Sequence, residues 1–196
     1  MEADVLNALQ SQSAYLPGGR DRDERLLMLI PVPNELQPWT KQNLDLSIKF
    51  LLSILSNDSL SGGLVVVIDG QKCSWRMARL VIRHVTALIG ESLSNVIVVR
   101  PDAFWDKQHV ENCAKTQKKG EPITIPKSRL FKHFELSELP EELGGTLAYN
   151  HEQWLCNRIR IEEFKKCFDK AINDLENLHV ICSTISLSEP MKPIKR

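Results

Sequence analysis

The chain has 196 residues, 42% of them apolar, which is enough for one domain with a proper core and excludes a disordered body. Its 25 basic residues balance its 25 acidic ones, which argues against bulk binding to DNA or RNA, because that needs a basic field. Five scattered cysteines (Cys73, Cys113, Cys156, Cys167, Cys182) form no CxxC pair, fitting reduced thiols rather than a disulfide framework. The acidic N-terminal stretch has no apolar core like that of a signal peptide, and no apolar run approaches the length of a membrane span. The expectation is a cytoplasmic protein, with peripheral membrane contact left open.

In chain order, residues 3–13 suit a short helix with Val5, Leu6 and Leu9 on one face. The turn Leu16-Pro17-Gly18-Gly19 breaks it. The apolar run Leu26–Ile30, ended by Pro31 and Pro33, reads as a buried strand. Thr40 can cap a helix over 41–56, with Leu44, Ile48, Leu51, Leu52 and Leu55 at helical spacing. Ser61-Gly62-Gly63 ends that unit. Leu64–Ile68 is the clearest strand, and its β-branched content suits a parallel sheet buried on both faces. Ser74 is placed to cap a helix over 75–89 that Gly90 stops. Asn95–Val99 reads as a third strand, 103–115 as a helix and Ile123–Ile125 as a short strand. A short helix over 128–134 and a Gly-containing turn segment from Leu139 to Tyr149 follow. A long helix then runs from His151 to about Ile181.

Strands alternating with helices give an α/β fold with a mostly parallel sheet, flanking helices and right-handed crossovers. One domain is expected over 1–185, including the C-terminal helix 151–182, with a loose tail over 186–196. No internal repeat or low-complexity segment is visible.

The sequence carries no GxGxxG, P-loop, GxSxG or HExxH pattern. Asp69 closes the strand LVVVID, and ligands sit at the carboxyl ends of strands in open α/β sheets. The favoured reading is an Asp that turns the chain, since no second acid or His stands at a telling spacing. His109 and Cys113 lie four apart on a predicted helix, but nothing signals the two further ligands a zinc ion needs. No metal, cofactor or catalytic residue is expected.

Charge says more. From Cys113 to His133 stand Lys115, Lys118, Lys119, Lys127, Arg129 and Lys132 against the single acid Glu121. Glu135, Glu138, Glu141 and Glu142 follow at once. A second basic stripe, Arg76, Arg79 and Arg83, is spaced three and four along one helix face. Such patches attract anionic headgroups, and a plain solvated face has the same pattern. In the long helix, Ile161, Phe164, Phe168, Ala171, Leu175, Leu178 and Cys182 are spaced three and four in alternation, a heptad seam. Either it docks on the domain's own sheet or N-terminal helix, or it meets a helical neighbour or partner.

The segment Leu139-Pro140-Glu141-Glu142-Leu143-Gly144-Gly145-Thr146 resembles the LP-x-E-x-GG signature that closes CRAL-TRIO lipid-binding domains. Its continuation, Leu147-Ala148-Tyr149-Asn150-His151-Glu152-Gln153-Trp154, looks like the version carried by Trio, Kalirin, Dbl-type Rho exchange factors and related spectrin-repeat scaffolds. Gly18-Gly19-Arg20-Asp21, Val67-Ile68-Asp69-Gly70 with Ser74-Trp75, and Arg100-Pro101-Asp102-Ala103-Phe104-Trp105 resemble further motifs of that group, collinearly over roughly residues 3–180.

The resemblance implies a CRAL-TRIO lipid-binding lobe without the long N-terminal helical lobe of transfer-type members. The sheet would floor an apolar cavity, and 103–119 would match the mobile gate helix. Phe104, Trp105 and Val110 would then be gate or pocket residues. Lys115, Lys118, Lys119, Lys127, Arg129 and Lys132 would face headgroups at the membrane rim. The implied role is a non-catalytic lipid- or phosphoinositide-binding module that targets or regulates a Rho-signalling or scaffold protein at membranes. The alternative is a protein-interaction module with a vestigial pocket, using the seam at Ile161, Phe164, Phe168, Leu175 and Leu178. The implied partners are a phospholipid or anionic membrane surface and a protein on the C-terminal helix.

Overall fold

The computed structural model describes residues 2–32, 40–100 and 122–188. It divides into two compact units, residues 2–151 and the helical segment from Glu152 onward.

The first unit is built on a four-stranded sheet in the order β1-β2-β3-β4, with β1 Leu26–Pro31, β2 Leu64–Asp69, β3 Leu93–Arg100 and β4 Ile123–Pro126. Every neighbouring pair is parallel. β1 and β2 are buried along five successive residues, as their continuous apolar runs require of strands covered on both faces. The register sets Leu27 beside Val65 and Ile30 beside Ile68, and Val67 beside Ile97.

Alternation along the strands separates the faces. Leu27, Leu29, Val65, Val67, Ile97, Val99 and Ile125 form one cluster with Tyr15, Leu130, Phe134, Leu139 and Leu143. The alternate residues Met28, Ile30, Val66, Ile68, Val96 and Val98 are equally buried and face the α-helices. Helix α1 (Ala3–Gln10) packs on α2 (Lys41–Ser53), α2 touches α4 (Trp75–Ile89), and α4 rests on β3. The caps expected at Thr40 and Ser74 form, each side-chain oxygen accepting from the third following amide, Asn43 and Met77.

In the first unit three elements differ from expectation. The helix expected over 41–56 stops at Ser53, and a short helix, α3 (Asn57–Ser61), starts afresh with Ser56 as its cap. Ser53 Oγ donates to the Phe50 carbonyl, a local bond of the kind that competes with helix continuation. The first helix ends at Gln10 rather than 13, where Ser11 Oγ donates to the Ala8 carbonyl. The helix expected over 128–134 is a 3₁₀ helix, Lys127–Lys132, entered from Pro126, since three-residue turns fit a six-residue piece that must close tightly. Two more 3₁₀ turns, Leu136–Glu138 and Glu141–Leu143, carry the chain to the glycine pair at 144–145.

The long C-terminal helix, α5, runs from His151 to Ser188. It thus passes the expected end at about Ile181 and takes in three residues of the segment read as a loose tail.

Candidate functional site

The carboxyl ends of the strands hold charged groups already tied into turns. Asp69 Oδ1 accepts from the backbone N–H of Gln71 and from its Nε2, each at 3.1 Å. Asp69 thus braces the turn that follows β2. Arg100, which sequence reasoning missed, is buried at the end of β3. Its guanidinium donates to the Gly70 and Cys73 carbonyls, each at 3.2 Å, and lies 5.3 Å from the Trp75 ring. The hint in the sequence was a lone cation directly after the apolar run Val96–Val99. Burial pushes the Cys73 thiol up, against the opposing pull of Arg100.

The two Gly-Gly pairs that carry the family motifs share one construction. The first glycine of each takes left-handed backbone, Gly18 at φ +97° and Gly144 at φ +87°. The second is pressed against backbone. A Cβ on Gly19 would sit 1.9 Å from the Glu138 carbonyl oxygen, and one on Gly145 would sit 2.0 Å from that of Leu139. Both turns thus close on the stretch 136–139, from opposite ends of the first unit's sequence.

Aromatic residues lock the same junction. Tyr15 stacks on Tyr149 with centroids 4.9 Å apart and planes at 5°. Tyr15 OH donates to Glu142 Oε2 at 2.9 Å. Burial, then the Glu142 contact, pushes the Tyr15 phenol well above its usual range. His151 is buried, with Nε2 2.8 Å from the Leu9 carbonyl oxygen and Nδ1 2.7 Å from Tyr149 OH. In the neutral ring Nε2–H donates to the carbonyl, so Nδ1 accepts from the tyrosine. The motif Tyr149-Asn150-His151 therefore ties the end of α1 to the start of α5 within the first unit.

Next to this junction lies the described part of the basic run. Arg129 and Lys132 are exposed on the 3₁₀ helix, and Lys127 Nζ donates to the Glu142 carbonyl at 2.7 Å. Leu130 and Phe134 point down onto the sheet. Phe131 and Leu136 are left 52% and 53% exposed. They flank an open cleft of about 310 Å³ that Leu130, Leu139, Leu143 and Lys127 also line. The acids that follow are mostly occupied. Glu135 pairs with Arg22 at 2.9 Å, Glu138 accepts from the Arg20 backbone N–H at 2.8 Å, and Glu142 takes the tyrosine. The structure thus brings cations and exposed apolar side chains together at one rim.

Phe104, Trp105, Val110, Lys115, Lys118 and Lys119 lie outside the described residues, as do His109 and Cys113. Among the described residues no group of three His, Cys, Asp or Glu side chains could hold a metal ion, and no helix is long and apolar enough to cross a membrane. On α5 the seam residues Ile161, Phe164, Phe168, Leu175 and Leu178 are all exposed, Phe164 at 70%. The Phe164 and Phe168 rings lie 6.3 Å apart.

A parallel four-stranded sheet, helices on one face, a 3₁₀-rich cover on the other and the LPEELGG closure define an α/β module of the CRAL-TRIO class. The sequence matches agree: this chain is a CRAL-TRIO, or Sec14-type, domain of the group found in spectrin-repeat scaffolds and Dbl-type exchange factors. No protein-family model matches the sequence. The SEC14 domain and spectrin repeat-containing protein 1 of Mus musculus is 33% identical over 179 residues, 89% of this chain and 25% of that protein. The guanine nucleotide exchange factor DBS of Homo sapiens is 28% identical over 168 residues, 83% of this chain and 15% of that protein. The probable guanine nucleotide exchange factor MCF2L2 of Homo sapiens is 25% identical over 197 residues. The chain spans about a quarter of the length of the first of these relatives.

Proposed function

We propose that this chain is a non-catalytic lipid-binding module that holds a Rho-signalling or scaffold protein at anionic, phosphoinositide-containing membranes from the cytoplasmic side. The observation that carries the reading is the 3₁₀ rim, where Arg129 and Lys132 are exposed beside exposed Phe131, and where Phe131, Leu136 and Lys127 line an open cleft. Cations beside apolar side chains suit a headgroup interface, where each basic residue adds on the order of 1 kcal/mol. The names of the relatives add the setting, a Sec14 domain joined to spectrin repeats in one and exchange factors in others. In this reading Phe104, Trp105 and Val110 serve the gate and pocket, and Lys115, Lys118 and Lys119 extend the cationic rim.

The test is flotation with phosphatidylserine and phosphatidylinositol-phosphate vesicles. The wild type floats. Neutralising Lys115, Lys118 and Lys119 to Gln weakens flotation about tenfold or more, on the order of three surface charges. Neutralising Arg129 and Lys132 weakens it less, and raised salt abolishes it. Flotation of both variants equal to wild type would remove the basic rim from the account.

A second reading is favoured by one observation, the exposure of the α5 seam. In it the module binds a protein through Ile161, Phe164, Phe168, Leu175 and Leu178, and the pocket is filled by its own side chains.

A further inference from the structure

Between Gly70 and Glu91 the sequence holds Lys72, Arg76, Arg79, Arg83 and His84, and no acid. His84 is taken by Asp45 of α2. Arg76, Arg79 and Arg83 are exposed, and among the described residues they enter no ion pair. Arg79 is instead steadied over the Trp75 ring, 5.3 Å from its centroid. Other surface arginines do find partners, as at Glu135 with Arg22 and Arg25 with Asp23. The arginine face of α4 is thus an unneutralised patch on a chain with no net charge.

Helical geometry makes this patch a single stripe. At 100° per residue Arg76 and Arg83 stand about 20° apart around the axis, and the rises between the three arginines are about 4.5 and 6 Å. Leu80 lies within the same stripe and is 51% exposed. The opposite side of the helix, Ala78, Val81, Val85 and Ile89, is buried.

Position decides the occupant. Leu130 and Phe134, flanking Arg129 and Lys132, pack on the sheet face formed by Leu27, Val65, Ile97 and their neighbours, while α4 covers the other face. A flat bilayer that meets the basic 3₁₀ rim therefore leaves the α4 stripe turned away from it. This orientation rests on the membrane reading above. Guanidiniums prefer carboxylate and phosphate forks, and three of them spaced three and four around a leucine match carboxylates at the same spacing on a facing helix. We propose that the α4 face of Arg76, Arg79, Leu80 and Arg83 docks an acidic amphipathic helix of a partner protein, with carboxylates on the arginines and an apolar side chain on Leu80.

The probe is a labelled synthetic helix of roughly 18 residues, about five turns, with glutamates three and four apart around a leucine. Its binding to the full chain is read by fluorescence anisotropy. Wild type and a Lys127→Gln/Lys132→Gln variant bind it, with affinity that falls as salt rises. The Arg76→Gln/Arg79→Gln/Arg83→Gln variant, melting as wild type does, loses about tenfold or more, and Leu80→Ser loses about threefold. Equal binding by the triple variant overturns the proposal. So does loss of vesicle flotation by the triple variant alone, which would hand the stripe to the membrane. Arginine-dependent helix binding by a chain that floats with no vesicle keeps this surface and removes the membrane reading instead.

Discussion

Gly145→Ala lowers the stability of the domain by on the order of 3 kcal/mol, the upper end of what overpacking costs. The added Cβ would stand 2.0 Å from the Leu139 carbonyl oxygen, 2.4 Å from the Leu139 Cβ and 2.6 Å from the Leu136 carbonyl oxygen. None of these is the free end of a flexible side chain, so backbone must move. That movement pulls on two bonds of the closure, Gly145 N–H to the Pro140 carbonyl and Thr146 N–H to the Leu136 carbonyl. Thermal unfolding reads the loss as a midpoint lower by roughly 6–12 °C for a chain of this size. Gly144→Ala is the internal comparison. Its Cβ meets nothing closer than the Lys127 Cε at 3.4 Å, so only the left-handed backbone is strained, at about 1–2 kcal/mol. Equal effects of the two substitutions would mean that the close approach at Gly145 is not what the motif requires.

Phe134→Ala costs about 3–5 kcal/mol, the range for removing a fully buried aromatic ring. Phe134 has no solvent exposure and belongs to the cluster that joins the 3₁₀ cover to the sheet. That cluster draws on all four strands, on Tyr15 and on Leu139 and Leu143 of the glycine closure, so the space Phe134 leaves is poorly filled by relaxation. Denaturant unfolding reads the change as a lower midpoint with an unchanged slope. Phe134→Leu costs less, on the order of 1–2 kcal/mol, since most of the buried area survives. A cost below about 1 kcal/mol for the alanine would place Phe134 outside the core that supports the cleft.

The two predictions also mark where the sequence was legible. Leu64–Ile68 and Leu26–Ile30 announce strands buried on both faces because a continuous β-branched and leucine run has no other stable placement. Thr40 and Ser74 announce helix starts because their oxygens can reach an amide three residues on. Over residues 128–134, by contrast, seven residues leave a three-residue and a four-residue turn indistinguishable by pattern, and the tighter form won. The site follows the same division. The basic run and the LPEELGG closure are visible as strings. The stack of Tyr15 on Tyr149 and the burial of Arg100 are not, because each depends on partners many residues away. Composition likewise says that 144–145 is a turn, while only packing shows that the first glycine serves the backbone angle and the second the contact.

The α5 seam is the complementary case. Its heptad spacing aligns apolar residues along the helix, but spacing alone does not say what covers them. Phe164, Phe168, Leu175 and Leu178 stand exposed, which is the observation behind the protein-interaction reading.

Native mass spectrometry of the purified full chain tests the central claim most directly. The account predicts a population carrying the mass of one phospholipid, released on raising the collision energy. A folded chain that appears only at its bare mass, even after incubation with phosphatidylinositol-phosphate and phosphatidylserine vesicles, would contradict it and leave the protein-interaction reading in its place.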